Sequence, residues 1–374
     1  MTKHIIIIGC GTAGAAATLQ ARKTSRDVSI TLLQDEASPE YSRCGLPYTV
    51  NKTIPKIDDL VIHPPAFYEG RLVGADLRLN TRATKIDVKA KTVQVEGPGG
   101  KTETLSYDAL VIATGSRPSA PPIEGLDLPH VYRMHTLDDA RAVQAAAKRG
   151  MNVAIIGAGL VGMETAESLH SLGLHVTVIE FLDSVLPAMI DADIAEEVVE
   201  RMETEGISVK LGTAAKAVLP GKVRVEQRAS GEVEEVPADI VVVATGVRSN
   251  TKLAADAGIK VNRGIVVDET MATSADGVYA AGDCAEHLDL VTGQTMVSGL
   301  GSIALRQGEV AGINAAGGKA KLPGVIMART THLFGLEIAA VGPTRHVAER
   351  AEIPILAGKF KGSITAEYYP SEGE

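Results

Sequence analysis

One supersecondary unit, written twice along a chain long enough for several domains, predicts an α/β fold of two three-layer domains. The first copy is the β-branched run Ile5–Ile8 followed by Gly9-Cys10-Gly11-Thr12-Ala13-Gly14. The second is Asn152–Ile156 followed by Gly157-Ala158-Gly159-Leu160-Val161-Gly162. With 374 residues, 45% of them hydrophobic, the chain exceeds one typical domain and can bury more than one core.

Each element follows from its residues. Ile5–Ile8 reads as a fully buried strand, a short β-branched run stopped by Gly9. Ala13–Lys23 reads as a helix and Val28–Leu33 as the next parallel strand. The same order returns at Asn152–Ile156, Leu160–Leu172 and His175–Glu180, so a whole βαβ unit is repeated. Ala109–Ala113 and Val241–Thr245 are further buried strands, and the proline-rich Ser116–Pro122 between domains reads as a linker. A strand in the segment from Thr273 ends at Gly282-Asp283, and a helix is expected over Ser302–Ala315. Near Leu322–Gly324 the pattern changes, and the remaining residues read as the start of a separate α+β module.

Composition narrows the function. Aromatic residues are only 3% and Trp is absent, which leaves no stacking platform for nucleic-acid bases. A net charge of -9 opposes nucleic acid or an acidic membrane as partner. It does not oppose an anionic dinucleotide, because backbone N–H groups at helix N-termini bind phosphate without a basic surface. Cys10, Cys44 and Cys284 have no zinc-type spacing and cannot build an extracellular disulfide framework, so a reducing, cytoplasmic setting is expected. The apolar run Ile5–Ile8 is too short for a signal peptide, and no stretch approaches a membrane span.

Both glycine loops read as G-x-G-x-x-G dinucleotide fingerprints. Gly9 permits the tight turn, Gly11 lets the backbone reach a pyrophosphate, and Gly14 permits close helix–strand packing; Thr12 and Ala13 open the helix. An acid normally ends the following strand to hold a ribose. Here Gln34 occupies that place, so either Asp35 or Gln34 itself is the candidate. The carboxylate of Asp283, at the carboxyl edge of the sheet, suits a ribityl hydroxyl and points to a flavin, FAD. The helix beginning at Ser302 would aim its positive end at the flavin pyrimidine ring. In the second loop Gly157, Gly159, Leu160, Val161 and Gly162 repeat the pattern, and Glu180 ends the next strand. Its two oxygens suit the ribose hydroxyls of NADH and repel a 2′-phosphate, which favours NADH and leaves NADPH possible. Glu164, expected on the first turn of this helix, would lie near the nicotinamide carboxamide.

With Ile112-Ala113-Thr114-Gly115, Ala244-Thr245-Gly246 and Ala281-Gly282-Asp283 in the same order as the two loops, the chain resembles the pyridine nucleotide-disulfide oxidoreductases almost end to end. The resemblance implies an FAD domain (1–116 and 247–320) interrupted by an NAD(P) domain (117–246), then a C-terminal interface module (321–374) shorter than the family's usual one. Tyr41-Ser42-Arg43-Cys44-Gly45-Leu46-Pro47-Tyr48 is similar to the segment of the single-cysteine branch: coenzyme A-disulfide reductases, NADH oxidases and peroxidases, and persulfide or sulfur reductases. The paired cysteines of lipoamide and glutathione reductases are missing, so Cys44 must serve alone. Ser42, Arg43, Ala113, Thr114, Gly115, Gly246 and Gly282 join the cofactor-binding candidates.

A lone cysteine beside a flavin carries two electrons only as half of a mixed disulfide, a persulfide or a sulfenic acid. A nearby helix N-terminus is expected to lower its pKa. Cys10 and Cys284 fit the ordinary role of small buried hydrophobes. Thr12 stands where the family's oxidases and peroxidases usually place a His, which favours disulfide or sulfur chemistry over oxygen or peroxide. The expected activity is therefore NAD(P)H:disulfide reduction of the coenzyme A-disulfide reductase type. The alternatives are an NADH oxidase or peroxidase and, from another class, a non-catalytic NADH-sensing flavoprotein. Leu333–Gly342 and Tyr368-Tyr369-Pro370 are similar to the family's interface domain, where a Tyr of coenzyme A-disulfide reductases reaches the partner's active site. That implies a possible homodimer in which Tyr368 or Tyr369 plays this part or simply packs.

Overall fold

Alternation along two isoleucine- and valine-rich strands explains the layering. In the computed structural model, which describes residues 2–360, His4–Ile8 forms a central strand with Ile5, Ile6 and Ile7 fully buried. Successive side chains leave a strand on opposite faces. Ile5 and Ile7 therefore join a core with the helices Thr12–Thr24 and Gly301–Ala315, while Ile6 and Ile8 join a second core on the other face. The strand Asn152–Ile156 does the same, with Val153 and Ile155 on the helix side and Ala154 and Ile156 on the other. Each such side chain contributes about 1.5–3 kcal/mol by burial, so a run apolar on both faces specifies a sheet covered twice.

Both central sheets are five-stranded and parallel. In the first, Val278–Ala280, Ala109–Ile112, His4–Ile8, Ser29–Leu33 and Asp76–Arg78 lie side by side. In the second the order is Ser208–Lys210, His175–Ile179, Asn152–Ile156, Ile240–Val243 and Val131–Tyr132. Their second faces are covered by three-stranded antiparallel meanders, Arg82–Ser106 and Thr213–Pro237, each with a register shift in its first hairpin. The repeat thus extends beyond the βαβ unit to the covering layer.

The connection expected at Ser116–Pro122 is more ordered than a linker. Ser116–Pro118 pairs antiparallel with Val247–Ser249, so the two chain crossings between the sheets hold each other as a ribbon. Backbone pairing satisfies there the N–H and C=O groups that a free linker would leave to water. The C-terminal module begins with the hairpin Ala328–Leu333/Leu336–Val341 and a helix, Arg345–Arg350. Tyr368, Tyr369 and Pro370 lie outside the described residues. Among the described residues no helix is long and apolar enough to cross a membrane.

Candidate active site

The two glycine loops are built alike. Gly9 N donates to Leu33 O at 2.8 Å, and Gly157 N donates to Ile179 O at 2.8 Å. Both residues take left-handed backbone, φ +103 and φ +106, and a Cβ would stand 2.2 Å from Ala113 O and 2.5 Å from Ala244 O. At Gly14 and Gly162 a Cβ would stand 1.7 Å and 2.1 Å from the carbonyl oxygens of Gly9 and Gly157. The middle glycines differ: at Gly11 and Gly159 a Cβ would meet nothing within 4 Å. Each borders open space at a helix N-terminus that has no side-chain cap, beside Thr12 and Ala13 or Leu160 and Val161. That arrangement fits a pyrophosphate approached by backbone N–H groups.

The strand-end residues also correspond. Gln34 is buried and its Oε1 accepts from Cys10 N at 3.0 Å. Glu180 is buried too; Oε2 accepts from Ala158 N at 2.6 Å and Oε1 from Leu182 N at 2.8 Å. Asp35 is instead exposed, 3.7 Å from Arg82. Of the two residues weighed from the sequence, the structure therefore brings Gln34, not Asp35, to the first loop.

Thr114 and Gly115 sit where the crossing ribbon meets the first sheet. Thr114 Oγ1 donates to Asn250 O at 2.8 Å, and Asn250 Nδ2 donates back to Thr114 O at 2.8 Å. Thr245, beside Gly246, donates likewise to Ser119 O at 2.7 Å. Gly115 and Gly246 have positive φ and open space at the Cβ position. Ser116 Oγ donates to Asp283 Oδ2 at 3.0 Å, and Ser249 Oγ to Asp283 O at 2.6 Å. Gly282 N donates to Oε1 of the buried Gln307, whose Nε2 donates to Glu286 O. Gln307 and Ser249 escaped the sequence reading because neither belongs to a local motif. Ser302 lies exposed on the first turn of the helix Gly301–Ala315, whose N-terminus also lacks a side-chain cap.

Cys44 is exposed, whereas Cys10 and Cys284 are buried; all three are free. It sits in the short turn Arg43–Gly45 ahead of the helix Leu46–Val50. Its neighbour Arg43 holds the loop down, with Nη2 donating to Glu36 Oε1 at 2.9 Å and Nη1 donating to His135 O at 2.6 Å. Tyr41 OH donates to the other Glu36 oxygen at 2.7 Å, and Ser42 N donates to Leu60 O. The expected lowering of the Cys44 pKa is overturned. Partial burial pushes the thiol up, and the carboxylates of Glu164 and Asp283 push it further. A helix of five residues has too small a dipole to offset desolvation and two negative neighbours. Cys10 is shielded more completely, and burial takes its thiol up to about 12.

Glu164 falls on the second turn of its helix, not the first. Its Oε1 accepts from Thr331 Oγ1 of the C-terminal hairpin at 2.9 Å, and Tyr48 lies close to the same carboxyl. Burial raises its pKa. Thr331 and Tyr48 carried no signal in the sequence that linked them to this acid.

The family model described as pyridine nucleotide-disulphide oxidoreductase matches residues 3–308. An NADH oxidase of Methanocaldococcus jannaschii is 38% identical over 373 residues, covering 99% of this chain and 82% of that one. A CoA-dependent NAD(P)H sulfur oxidoreductase of Pyrococcus furiosus is 31% identical over 376 residues, covering 100% of this chain and 83% of that one. The structure of an NAD-dependent persulfide reductase from A. fulgidus superposes with a TM-score of 0.93 at 37% identity, covering 98% of this chain and 69% of that one.

Proposed function

The chain belongs to the pyridine nucleotide-disulphide oxidoreductase family, and we propose that it reduces a disulfide or persulfide through Cys44, with coenzyme A disulfide the favoured substrate. Its cofactors are FAD and NAD(P)H. The FAD domain of this proposal comprises 1–116 and 247–320, the NAD(P) domain 117–246, and an interface module, suited to a homodimer, begins at 321.

The observation that carries the proposal is a single exposed cysteine in a loop tied down by Arg43 and Tyr41, while the other two thiols are sealed in cores. The open glycines Gly11 and Gly159 support one dinucleotide at each loop. When bound, the flavin supplies the two-electron relay between nicotinamide and sulfur. Gln34 and Glu180 brace the loops, and Asp283, oriented by Ser116, offers the acceptor for a ribityl hydroxyl. The Cys44 thiolate displaces RS⁻ from R–S–S–R to form Cys44–S–S–R. Two electrons and a proton then cleave that bond, regenerating the Cys44 thiolate and releasing RSH. An exposed free thiol persists in a reducing compartment, which fits a cytoplasmic setting.

A second reading, reduction of oxygen or peroxide through a Cys44 sulfenic acid, is favoured by the name of the Methanocaldococcus jannaschii relative. Thr12 speaks for the sulfur reading. The test is anaerobic NADH consumption with coenzyme A disulfide, comparing wild type with Cys44→Ser. Turnover in wild type, its loss in the variant, and unchanged flavin content are expected. No anaerobic turnover, with brisk consumption once oxygen is admitted, transfers the assignment to the oxidase reading.

A further inference from the structure

One histidine outside the glycine loops is bonded to three parts of the fold at once. His135 stands at the entry to the helix Leu137–Ala146, and its N–H donates to Asp139 Oδ2 at 3.1 Å. Thr136 N donates to the same oxygen at 2.9 Å, and Thr136 Oγ1 accepts from Asp139 N at 3.1 Å, which completes a capping box. Leu137, Ala140 and Val143 of this helix are buried in the core around the second sheet. From that anchored position the His135 carbonyl accepts from Arg43 Nη1 at 2.6 Å, one residue from Cys44. Its ring makes a further tie, with Nε2 lying 3.0 Å from Ser116 O in the crossing ribbon. A carbonyl only accepts, so Nε2 carries the proton. Burial, and after it the Arg43 guanidinium, hold the imidazole below its ordinary pKa, so the donor is neutral. Ser116 completes the chain by donating its Oγ to Asp283 Oδ2 at 3.0 Å.

We propose that His135 is a positioning residue that holds the loop carrying Cys44 in register with Asp283 at the flavin site. The inference rests on the readings of Cys44 as the reactive sulfur and of Asp283 as the acceptor for a flavin hydroxyl. Two links join these residues through His135: Arg43 to its carbonyl, and its ring to Ser116. The second is made by a side chain, so a substitution removes it and leaves the capping box and the Arg43 bond in place. Without it the ribbon and the Cys44 loop move independently. Reduction of a disulfide on Cys44 needs sulfur and flavin at reacting distance, where a misplacement of about 1 Å costs up to about 100-fold in rate. His135 thus acts on the chemistry through Arg43 and Ser116, without touching the reacting atoms.

The test uses flavin-loaded protein reduced anaerobically with stoichiometric NADH, then mixed with coenzyme A disulfide in a stopped-flow instrument. His135→Leu slows flavin reoxidation about three- to tenfold, the worth of one neutral hydrogen bond. It raises the flavin dissociation constant, read by ultrafiltration, by about the same factor. His135→Gln, whose amide nitrogen stands where Nε2 does, restores both values. His135→Asn, whose amide is too short to reach Ser116 O, does not. Ser116→Ala cuts the chain at its next link, so combining it with His135→Leu adds nothing to the rise in flavin dissociation constant. Any one of three results overturns the proposal: unchanged reoxidation in His135→Leu, a defect that His135→Gln fails to repair, or additive effects of the two substitutions. If His135→Leu does not fold, His135→Asn against His135→Gln decides. Failure of the Cys44 reading appears separately, as wild-type reduced flavin that coenzyme A disulfide does not reoxidise, while the flavin dissociation constants still test the His135 link.

Discussion

Adding one methyl group to the second glycine loop separates the two dinucleotide sites. In Gly162→Ala the new Cβ stands 2.1 Å from Gly157 O and 3.3 Å from the Ala244 Cβ. Ordinary contact requires the helix N-terminus to retreat by about 1 Å, because both neighbours belong to a packed strand-and-loop frame with no void to absorb it. The retreat costs about 1–3 kcal/mol and withdraws the N–H groups of Leu160 and Val161 from their target. Losing one charge-assisted hydrogen bond costs about 1.5–3 kcal/mol, which raises KM for NADH about 10- to 100-fold. Flavin content stays at the wild-type level, since Gly9, Gly11 and Gly14 are untouched. Gly14→Ala does the reverse, since its Cβ stands 1.7 Å from Gly9 O, and the protein purifies flavin-poor. The assay is the ratio of flavin to protein absorbance together with NADH titration of flavin bleaching. A Gly162→Ala protein that loses flavin, or that keeps its KM for NADH within about twofold of wild type, refutes the division of labour between the loops.

The remaining predictions concern packing, bracing and pH. Gly308→Val puts a Cβ 2.2 Å from Ala13 O, prying apart the helices Thr12–Thr24 and Gly301–Ala315; a stability loss of about 2 kcal/mol or more and release of flavin on dilution are expected in thermal melts and ultrafiltration. Glu180→Ala leaves the N–H groups of Ala158 and Leu182 without their acceptor, so KM for NADH rises at constant flavin content in steady-state kinetics. Buried Cys10 keeps its proton up to about 12 in the folded chain, against 9.0 as the ordinary value. The folded state therefore binds more protons than the unfolded one between those values, and stability falls as pH rises through that window. Melting temperatures from pH 9 upward should drop more steeply in wild type than in Cys10→Ala.

Much of this was legible from the residues because the informative signals were local and repeated. A run such as Ile5–Ile8, apolar on both faces and stopped by glycine, fits only a strand covered on both sides, and its copy at Asn152–Ile156 reproduced the sheet order. The covering meanders went unread although Thr92–Glu96 and Lys222–Gln227 alternate in burial, because their stabilising partners are strands rather than the next helix. The ribbon of Ser116–Pro118 with Val247–Ser249 joins residues far apart in the chain, and proline made one half look like a linker. At the candidate site, the close approaches at Gly9, Gly14, Gly157 and Gly162 were predictable from backbone needs, and the loop setting of Cys44 from its neighbouring Gly and Pro. Its electrostatics were not: Glu164 and Asp283 reach the thiol only through the packing of separate modules. Gln307 and Thr331 likewise act across the fold and leave no local pattern.

The most direct test of the central claim is a peptide mass map of the protein incubated anaerobically with coenzyme A disulfide, before and after addition of NADH. The account predicts one coenzyme A adduct, on the peptide bearing Cys44, that disappears when NADH is supplied. An adduct on Cys10 or Cys284, or disulfide turnover with Cys44 unmodified throughout, contradicts it.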